Sequence, residues 1–191
     1  MSVNSSAFGR PRIIATWVDD QIGKSETHHS MKKQFVTLSK LITEWKFFDT
    51  HHAFYDDLDT YPKTKILLIT SGAFGRHIVP EKHELTQIYR IYIFCHDVES
   101  NEKWSDEYNK VSGVFNIEDL VYKQLADDLA TLFRDEGEAY RRSSEYGLAR
   151  LNYKEAKHIL IKVLKLSDKD DRVQFINDEL ETVDLHKCTI N

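Results

Sequence analysis

The chain has 191 residues and a formal net charge of −5, because 31 Asp and Glu outnumber 26 Lys and Arg, and this balance argues against nucleic acid as a partner. With 41% hydrophobic residues, seven Gly and three Pro, the composition predicts a packed core and excludes a low-complexity chain. Two cysteines supply neither a disulfide framework nor a zinc site, and no apolar stretch approaches the ~18 residues of a membrane span, so we expect a cytoplasmic protein without metal or membrane contact.

Five short apolar runs are predicted as buried β-strands. In chain order they cover residues 12–18, 45–48, 66–70, 91–95 and 111–115. Continuous apolar character is typical of strands that are covered on both faces. Because helical patterns separate the runs, we predict βαβ units and an α/β domain with an open, parallel, five-stranded sheet in three layers.

Helical patterns between these strands are weaker signals. Met31, Phe35, Leu38 and Ile42 recur at spacings of three and four residues, which is one stripe of an amphipathic helix. A shorter helix is predicted over residues 51–59. Both helices would cover the sheet.

The segment after the third strand, residues 71–77, is predicted to be a tight loop because it contains Gly72 and Gly75. At least one of these glycines is expected to have a positive φ angle. A helix is predicted to begin after Pro80 and to run through Glu84 toward the fourth strand.

The C-terminal part of the chain is predicted to be helical. We predict that the sheet domain spans residues 10–135 and that a helical extension spans residues 136–191. In the extension, the spacing of Tyr153 and Leu160 is similar to the second half of a tetratricopeptide repeat, and an ordinary helical hairpin is the alternative. The charge run at residues 168–172 is predicted to be a linker.

The candidate ligand site follows from the predicted topology. Ligands of open parallel sheets bind beyond the carboxyl ends of the strands, where the strand order reverses. With a flavodoxin-like order of 2-1-3-4-5, the reversal lies between the first and third strands. Residues that would meet there could bind a cation, a phosphate or a nucleotide, or could simply cap and turn the chain. They are Asp19, Asp20, Ser71, Gly72, Gly75, Arg76 and His77.

Other polar motifs are weaker candidates. Adjacent histidines at positions 28–29 and 51–52 are expected to point apart and to lack a third ligand, so no shared metal site is predicted. Cys95, His96 and Asp97 are consecutive, and consecutive side chains do not face one another as a catalytic triad does. Cys95 is therefore predicted to be a small core residue.

The acidic pair after the first strand resembles the metal pocket of bacterial response-regulator receivers, which share the predicted strand order. Receivers carry a phosphate-accepting Asp at the end of the third strand, where this chain has Thr70 and Ser71. They carry a Lys after the fifth strand, where this chain has Asn116. The resemblance therefore implies the fold without phosphorelay activity.

A strand followed by Ser71 and Phe74, with Glu84 in the next predicted helix, resembles TIR domains across the predicted sheet domain. In TIR enzymes the matching glutamate holds the ribose of NAD during cleavage of the nicotinamide bond. The resemblance implies that Glu84 is the catalytic residue, or Glu81 if the register shifts by one turn. The Trp-Cys pair that precedes this glutamate in TIR enzymes is replaced by residues 79–80, Val and Pro.

Several longer runs, residues 17–19, 69–80, 91–97 and 110–115 together with Trp104, resemble a further group of proteins. It is an N-terminal module of uncharacterised function in invertebrate multidomain proteins that carry tetratricopeptide repeats or ADP-ribosyltransferase domains. A module in that position implies sensing or assembly.

Two functions are open from the sequence. We favour a non-catalytic, TIR-like signalling or assembly module that acts through protein partners or self-association and needs no cofactor. The alternative is a TIR-type enzyme that cleaves NAD with Glu84, or a protein that binds NAD or a nucleotide.

Overall fold

The computed structural model describes residues 12–22, 29–60 and 63–188. The predicted domain start at residue 10, the histidine at position 28 and the last three residues lie outside these ranges. None of the helices in the described ranges combines the length and the apolar character needed to cross a bilayer.

One parallel sheet contains five strands in the order β2-β1-β3-β4-β5. The strands are β1 (Arg12–Val18), β2 (Glu44–Phe48), β3 (Thr64–Ser71), β4 (Ile88–Phe94) and β5 (Val111–Phe115). β1 lies between β2 and β3, and Val18 pairs with Phe48 on one side and with Thr70 on the other. The predicted α/β class, parallel sheet and flavodoxin-like strand order are confirmed.

The central strands are apolar along their length because both faces of the sheet are covered. In β1, Ala15 and Trp17 enter one hydrophobic core, whereas Ile14 and Val18 enter the other. This alternation follows from the period of two along a strand. The edge strands β2 and β5 are only half-buried.

Five helices cover the sheet: α1 (His29–Phe35), α2 (His51–Leu58), α3 (Gly72–Lys82), α4 (Val98–Ser105) and α5 (Glu118–Arg142). Phe35 of α1 and Leu125 of α5 belong to the first core. Phe54 of α2 and Ile78 of α3 belong to the second, and Trp104 of α4 packs against it. The helices therefore form two outer layers, one on each face of the sheet.

The first helix is shorter than the predicted stripe. α1 ends at Phe35, and Leu38 and Ile42 lie in the irregular segment between α1 and β2. Both side chains are nevertheless buried in the first core. The apolar spacing identified the buried positions and overestimated the length of the helix.

α3 differs most from the prediction. It begins at Gly72, directly after β3, and contains Pro80 in its last turns, so the loop predicted over residues 71–77 is wrong. Ser71 is the N-cap, and its hydroxyl oxygen accepts a hydrogen bond from the Phe74 N–H at 3.3 Å. Glu84 lies after α3, in the turn that leads to β4, and the helix predicted to begin after Pro80 is absent from this described segment.

The two glycines of α3 serve close packing. The prediction of a positive φ angle is wrong for both, since among the described glycines that backbone conformation occurs at Gly113. A Cβ atom on Gly72 would lie 2.9 Å from the side-chain amide of Asn101 in α4. A Cβ atom on Gly75 would lie 3.4 Å from the Trp104 ring. The absence of side chains at these positions lets α4 approach α3.

The C-terminal helices continue directly from the sheet. α5 is unbroken across residue 135, where we predicted a domain boundary. α6 (Tyr146–His158) ends in a π-helical turn (Ile159–Val163), and α7 (Asp171–Cys188) follows. The charge run predicted as a linker includes the start of α7, and Arg172 forms an ion pair with Asp127 of α5 at 2.6 Å. Sheet and helical extension share the first hydrophobic core.

Specific contacts fix α6 and α7 in place. The Tyr153 hydroxyl donates a hydrogen bond to Glu179 at 2.8 Å, and Arg141 forms an ion pair with the same carboxylate at 2.7 Å. The Tyr153 ring lies so close to α5 that a Cβ atom on Gly137 would be 2.7 Å from it. These four residues, which we call the α5–α7 junction, connect three helices.

Candidate functional site

A pocket of about 280 Å³ opens at the carboxyl edge of the sheet. Its lining consists of Asp19, Phe94, Cys95, His96 and Asn116. These residues stand at or just after the ends of β1, β4 and β5. We call this cavity the carboxyl-edge pocket, and it lies at the edge of the sheet that the topology predicted for a ligand.

Asp19 is the member of the predicted set that lines the pocket. Its side chain is buried, and its Oδ1 accepts a hydrogen bond from the Gln21 N–H at 2.8 Å. Its backbone N–H donates to the Phe48 carbonyl of β2 at 2.9 Å. The carboxylate therefore has a structural role in the turn after β1, while part of the residue borders the pocket. Asp20 is exposed and accepts a hydrogen bond from the Gln21 side chain at 2.9 Å.

Arg76 and His77 lie on α3 and point to other neighbours. The Arg76 guanidinium donates hydrogen bonds to the Ser100 hydroxyl at 3.0 Å and to its carbonyl at 3.2 Å. It also lies 5.3 Å from the Trp104 ring. His77 stacks on His51 of α2, with ring centroids 5.5 Å apart. Because Ser71, Gly72 and Gly75 form and pack the first turn of α3, the predicted β1–β3 crevice is not lined by that set as a whole.

Glu84 is remote from the pocket. It stands four residues before Ile88, where β4 begins at the amino edge of the sheet. Lys110, which precedes β5 at the same edge, donates a hydrogen bond to the Leu85 carbonyl at 2.8 Å. The Glu84 side chain is 90% exposed. The residue that the TIR resemblance implies as catalytic therefore lies at the opposite edge from the carboxyl-edge pocket.

Glu81, the alternative to Glu84, lies on α3 beside α2. Burial and the nearby Glu81 carboxylate together raise the pKa of Tyr55 to about 12. Tyr55 belongs to α2, and the Lys82 ammonium lies 4.4 Å from its ring. Glu81 thus takes part in the α2–α3 contact and does not line the pocket.

Cys95 lines the pocket with a thiol that is unsuited to nucleophilic attack. Burial is the largest influence on it, and the Asp97 carboxylate adds to burial in raising the pKa of Cys95. A raised pKa keeps the thiol protonated at neutral pH, whereas reactive cysteines have lowered values. The Asp97 carboxylate accepts a hydrogen bond from the Ser100 N–H at 3.1 Å and caps α4. Cys95, predicted as a core residue, is half-buried.

The sequence reasoning did not assign the pocket residues of β4 and β5 to the ligand site. Phe94 is the last residue of β4, His96 follows β4 and Asn116 follows β5, and both strands lie beyond β3 in the sheet. Parallel strands end at the same edge, so the predicted strand ends alone would have identified them as neighbours of Asp19. Across residues 12–22, 29–60 and 63–188, no group of three or more His, Cys, Asp or Glu is arranged to hold a metal ion.

Beside the pocket, the junction of β5 and α5 exposes two apolar side chains. Ile117 is 54% exposed and Leu120 is 46% exposed. Ile117 is the N-cap of α5, and its side chain makes no capping hydrogen bond. Glu118 and Asp119 lie between the two apolar residues. We call these four residues, 117–120, the β5–α5 surface.

Comparison of the chain with protein families, curated proteins and solved structures gave no significant match. Open α/β sheets carry many unrelated functions, so the architecture does not choose among them. The carboxyl-edge pocket and the β5–α5 surface are therefore the candidate functional features of this chain.

Proposed function

We propose that this protein is a non-catalytic, TIR-like signalling or assembly module that binds a protein partner or a second copy of itself through the β5–α5 surface. The observation that carries the proposal is Ile117. An N-cap without a side-chain acceptor costs about 1 kcal/mol relative to Ser, Thr, Asp or Asn, and exposure of an isoleucine adds unfavourable hydration. A residue that weakens the free chain in both ways is explained when its side chain is buried by a partner.

The flanking charges suggest the chemistry of the partner. Glu118 and Asp119 border Ile117, and Asp20 is exposed after β1 at the same edge of the sheet. The Asp119 carboxylate forms an exposed ion pair with Lys123 of α5 at 2.6 Å. Charged rims favour partners of opposite sign and exclude those of like sign. We therefore infer an occupant that offers an apolar side chain bordered by basic groups, which a second copy of the chain supplies only from a surface other than its own β5–α5 surface.

The non-catalytic part of the proposal is supported by two observations. Glu84 lies at the amino edge of the sheet, and the raised pKa of Cys95 disfavours a thiolate in the carboxyl-edge pocket. The TIR-like part depends on the resemblance of the strand, Ser71 and Phe74, together with the flavodoxin-like strand order.

The substitution Ile117→Ser separates binding from folding. Serine restores an N-cap acceptor, so we expect the melting temperature to rise, by the equivalent of about 0.5–1 kcal/mol. At the same time, association should weaken, because the apolar anchor is lost. Association is measured by sedimentation of the purified chain from micromolar to millimolar concentration, and by capture from extracts of the source cells with wild-type and variant baits.

Leu185→Ser is the matched control, because Leu185 of α7 is 70% exposed and lies outside the β5–α5 surface. This variant should associate like the wild type. If the wild type stays monomeric throughout the concentration range and captures the same proteins as Ile117→Ser, the proposal is wrong.

A second candidate function is suggested by the carboxyl-edge pocket. A cavity of about 280 Å³ is at the small end of ligand sites and would enclose part of a nucleotide. Titration with NAD, ADP-ribose and nucleotides, monitored by calorimetry and by nicotinamide release, tests this candidate. Binding that weakens in Asp19→Asn would support a ligand site, whereas nicotinamide release by the wild type that is lost in Glu84→Ala would overturn the non-catalytic proposal.

A further inference from the structure

Three histidine rings meet where α2 contacts α3. His51 and His52 form the first turn of α2, and their ring centroids lie 4.1 Å apart. His77 comes from α3 and stacks on His51, with centroids 5.5 Å apart and an angle of 16° between the ring planes. The prediction that the side chains of this adjacent pair point apart is wrong. We call these three residues the histidine cluster.

His51 is the most enclosed member of the cluster. Its ring is half-buried and lies 5.4 Å from the Phe74 ring and 5.6 Å from the Tyr55 ring, measured between centroids. Its Nδ1 atom is buried and has no hydrogen-bond partner. His52 and His77 are exposed and face water on their outer sides. A proton added to His51 would therefore enter the least solvated ring.

The charges around His51 oppose its protonation. Burial lowers the pKa of His51 most, and the nearby His52 and His77 lower it further. The Glu81 carboxylate of α3 acts in the opposite direction and is the weakest of these influences. Tyr55 of α2 also faces the ring, with a pKa raised to about 12 that leaves it neutral. The amino end of α2 carries a partial positive charge, which also disfavours a cation there.

We propose that the histidine cluster is a pH-sensitive contact that loosens the packing of α2 on α3 when the surroundings become acidic. This inference does not depend on the proposed function. Uncharged imidazoles can stack, whereas protonated rings at these distances repel one another. Because α2 has only eight residues and the histidines form its first turn, separation of the rings would loosen the packing of α2 on α3.

The direction of the pH effect follows from linkage. An imidazole released to water has a pKa near its ordinary value of about 6.5, and the packed His51 has a lower one. The released state therefore binds a proton more readily. The contact is at full strength above about pH 6.5 and weakens as the pH falls from there through the lowered pKa of His51. Each unit of difference between the two pKa values raises the loosened fraction about tenfold once the pH is below both.

The proposal is tested by NMR on the full chain between about pH 7.5 and pH 5. Histidine ring resonances give the pKa of each imidazole, and hydrogen exchange gives the protection of the α2 amides after correction for intrinsic rates. In the wild type, we expect α2 protection to fall on acidification while α5 protection is kept. In His77→Gln, which removes the imidazole stacked on His51, the fall should be clearly smaller.

His186→Gln is the control, because His186 is an exposed histidine of α7 that stacks on Tyr146. In the His186→Gln variant, the hydrogen-exchange protection of α2 should equal that of the wild type at every pH. The proposal is overturned if wild type and His77→Gln lose α2 protection equally, if α2 and α5 open together, or if His51 titrates at its ordinary pKa.

Discussion

The carboxyl edge of the sheet and the α5–α7 junction differ in whether their side chains find partners within the chain. At the junction, Tyr153 and Arg141 both reach the carboxylate of Glu179, so these three polar groups satisfy one another. At the carboxyl edge, Ile117 stands at a helix N-cap without a capping acceptor and with its side chain in water. The junction pairs its polar groups within the chain, whereas the N-cap of α5 departs from the usual capping preference and leaves an apolar side chain in water. Such departures are expected at functional positions.

The largest loss of stability is expected from a substitution that disrupts the α5–α7 junction. Gly137→Ala should lower stability by about 1–2 kcal/mol, because the new Cβ would lie 2.7 Å from the Tyr153 ring and overpacking outweighs the gain in helix propensity. Gly147→Ala in α6 is the matched control, since its Cβ would have no neighbour within 4 Å. Chemical denaturation should show a loss for Gly137 and a small gain for Gly147. Equal effects would mean that Tyr153 does not pack on α5.

An intermediate loss of stability is expected from a substitution that removes one charge from the junction and keeps the size of the side chain. Glu179→Gln should cost about 1 kcal/mol, because the amide can still accept a hydrogen bond from Tyr153 while the ion pair with Arg141 is lost. Glu181→Gln, on an exposed position of the same helix, should leave the melting temperature unchanged. If Glu181→Gln lowered stability as much as Glu179→Gln, the effect would come from the net charge of α7 and not from the contact with Arg141.

The smallest effect is expected at the carboxyl edge. Asp20→Asn should change the free energy of unfolding by less than about 0.5 kcal/mol, because Asp20 is exposed and its hydrogen bond is to the adjacent Gln21. The same variant should weaken association if the partner is basic. A stability loss comparable to that of Glu179→Gln would show that the two regions do not differ in the way we describe.

The fold was largely predictable because its strongest signals are local. Buried parallel strands such as β1 and β3 are apolar along the chain itself, so a single sequence reveals them. The start of α3 was not predicted because Gly72 and Gly75, considered without their tertiary neighbours, indicate a loop. Their role is set by Asn101 and Trp104, which approach from another helix. No local pattern carries that information.

The candidate site was predictable only at the level of the sheet edge. The rule for open sheets selected the edge where Asp19 lies, and the lining residues come mainly from β4 and β5. The segment after β3 leaves no loop to line a pocket, because α3 begins immediately at Gly72. The histidine cluster was unpredictable because His77 meets His51 only through the packing of two helices.

The continuity of α5 has a mechanical consequence. Its 25 residues form a rod about 37 Å long at 1.5 Å per residue, with Ile117 at one end and Arg141 near the other. Its first half lies on the sheet, and its second half holds the junction with α6 and α7. A partner bound at Ile117 would therefore be held at a fixed distance and orientation relative to the C-terminal helices.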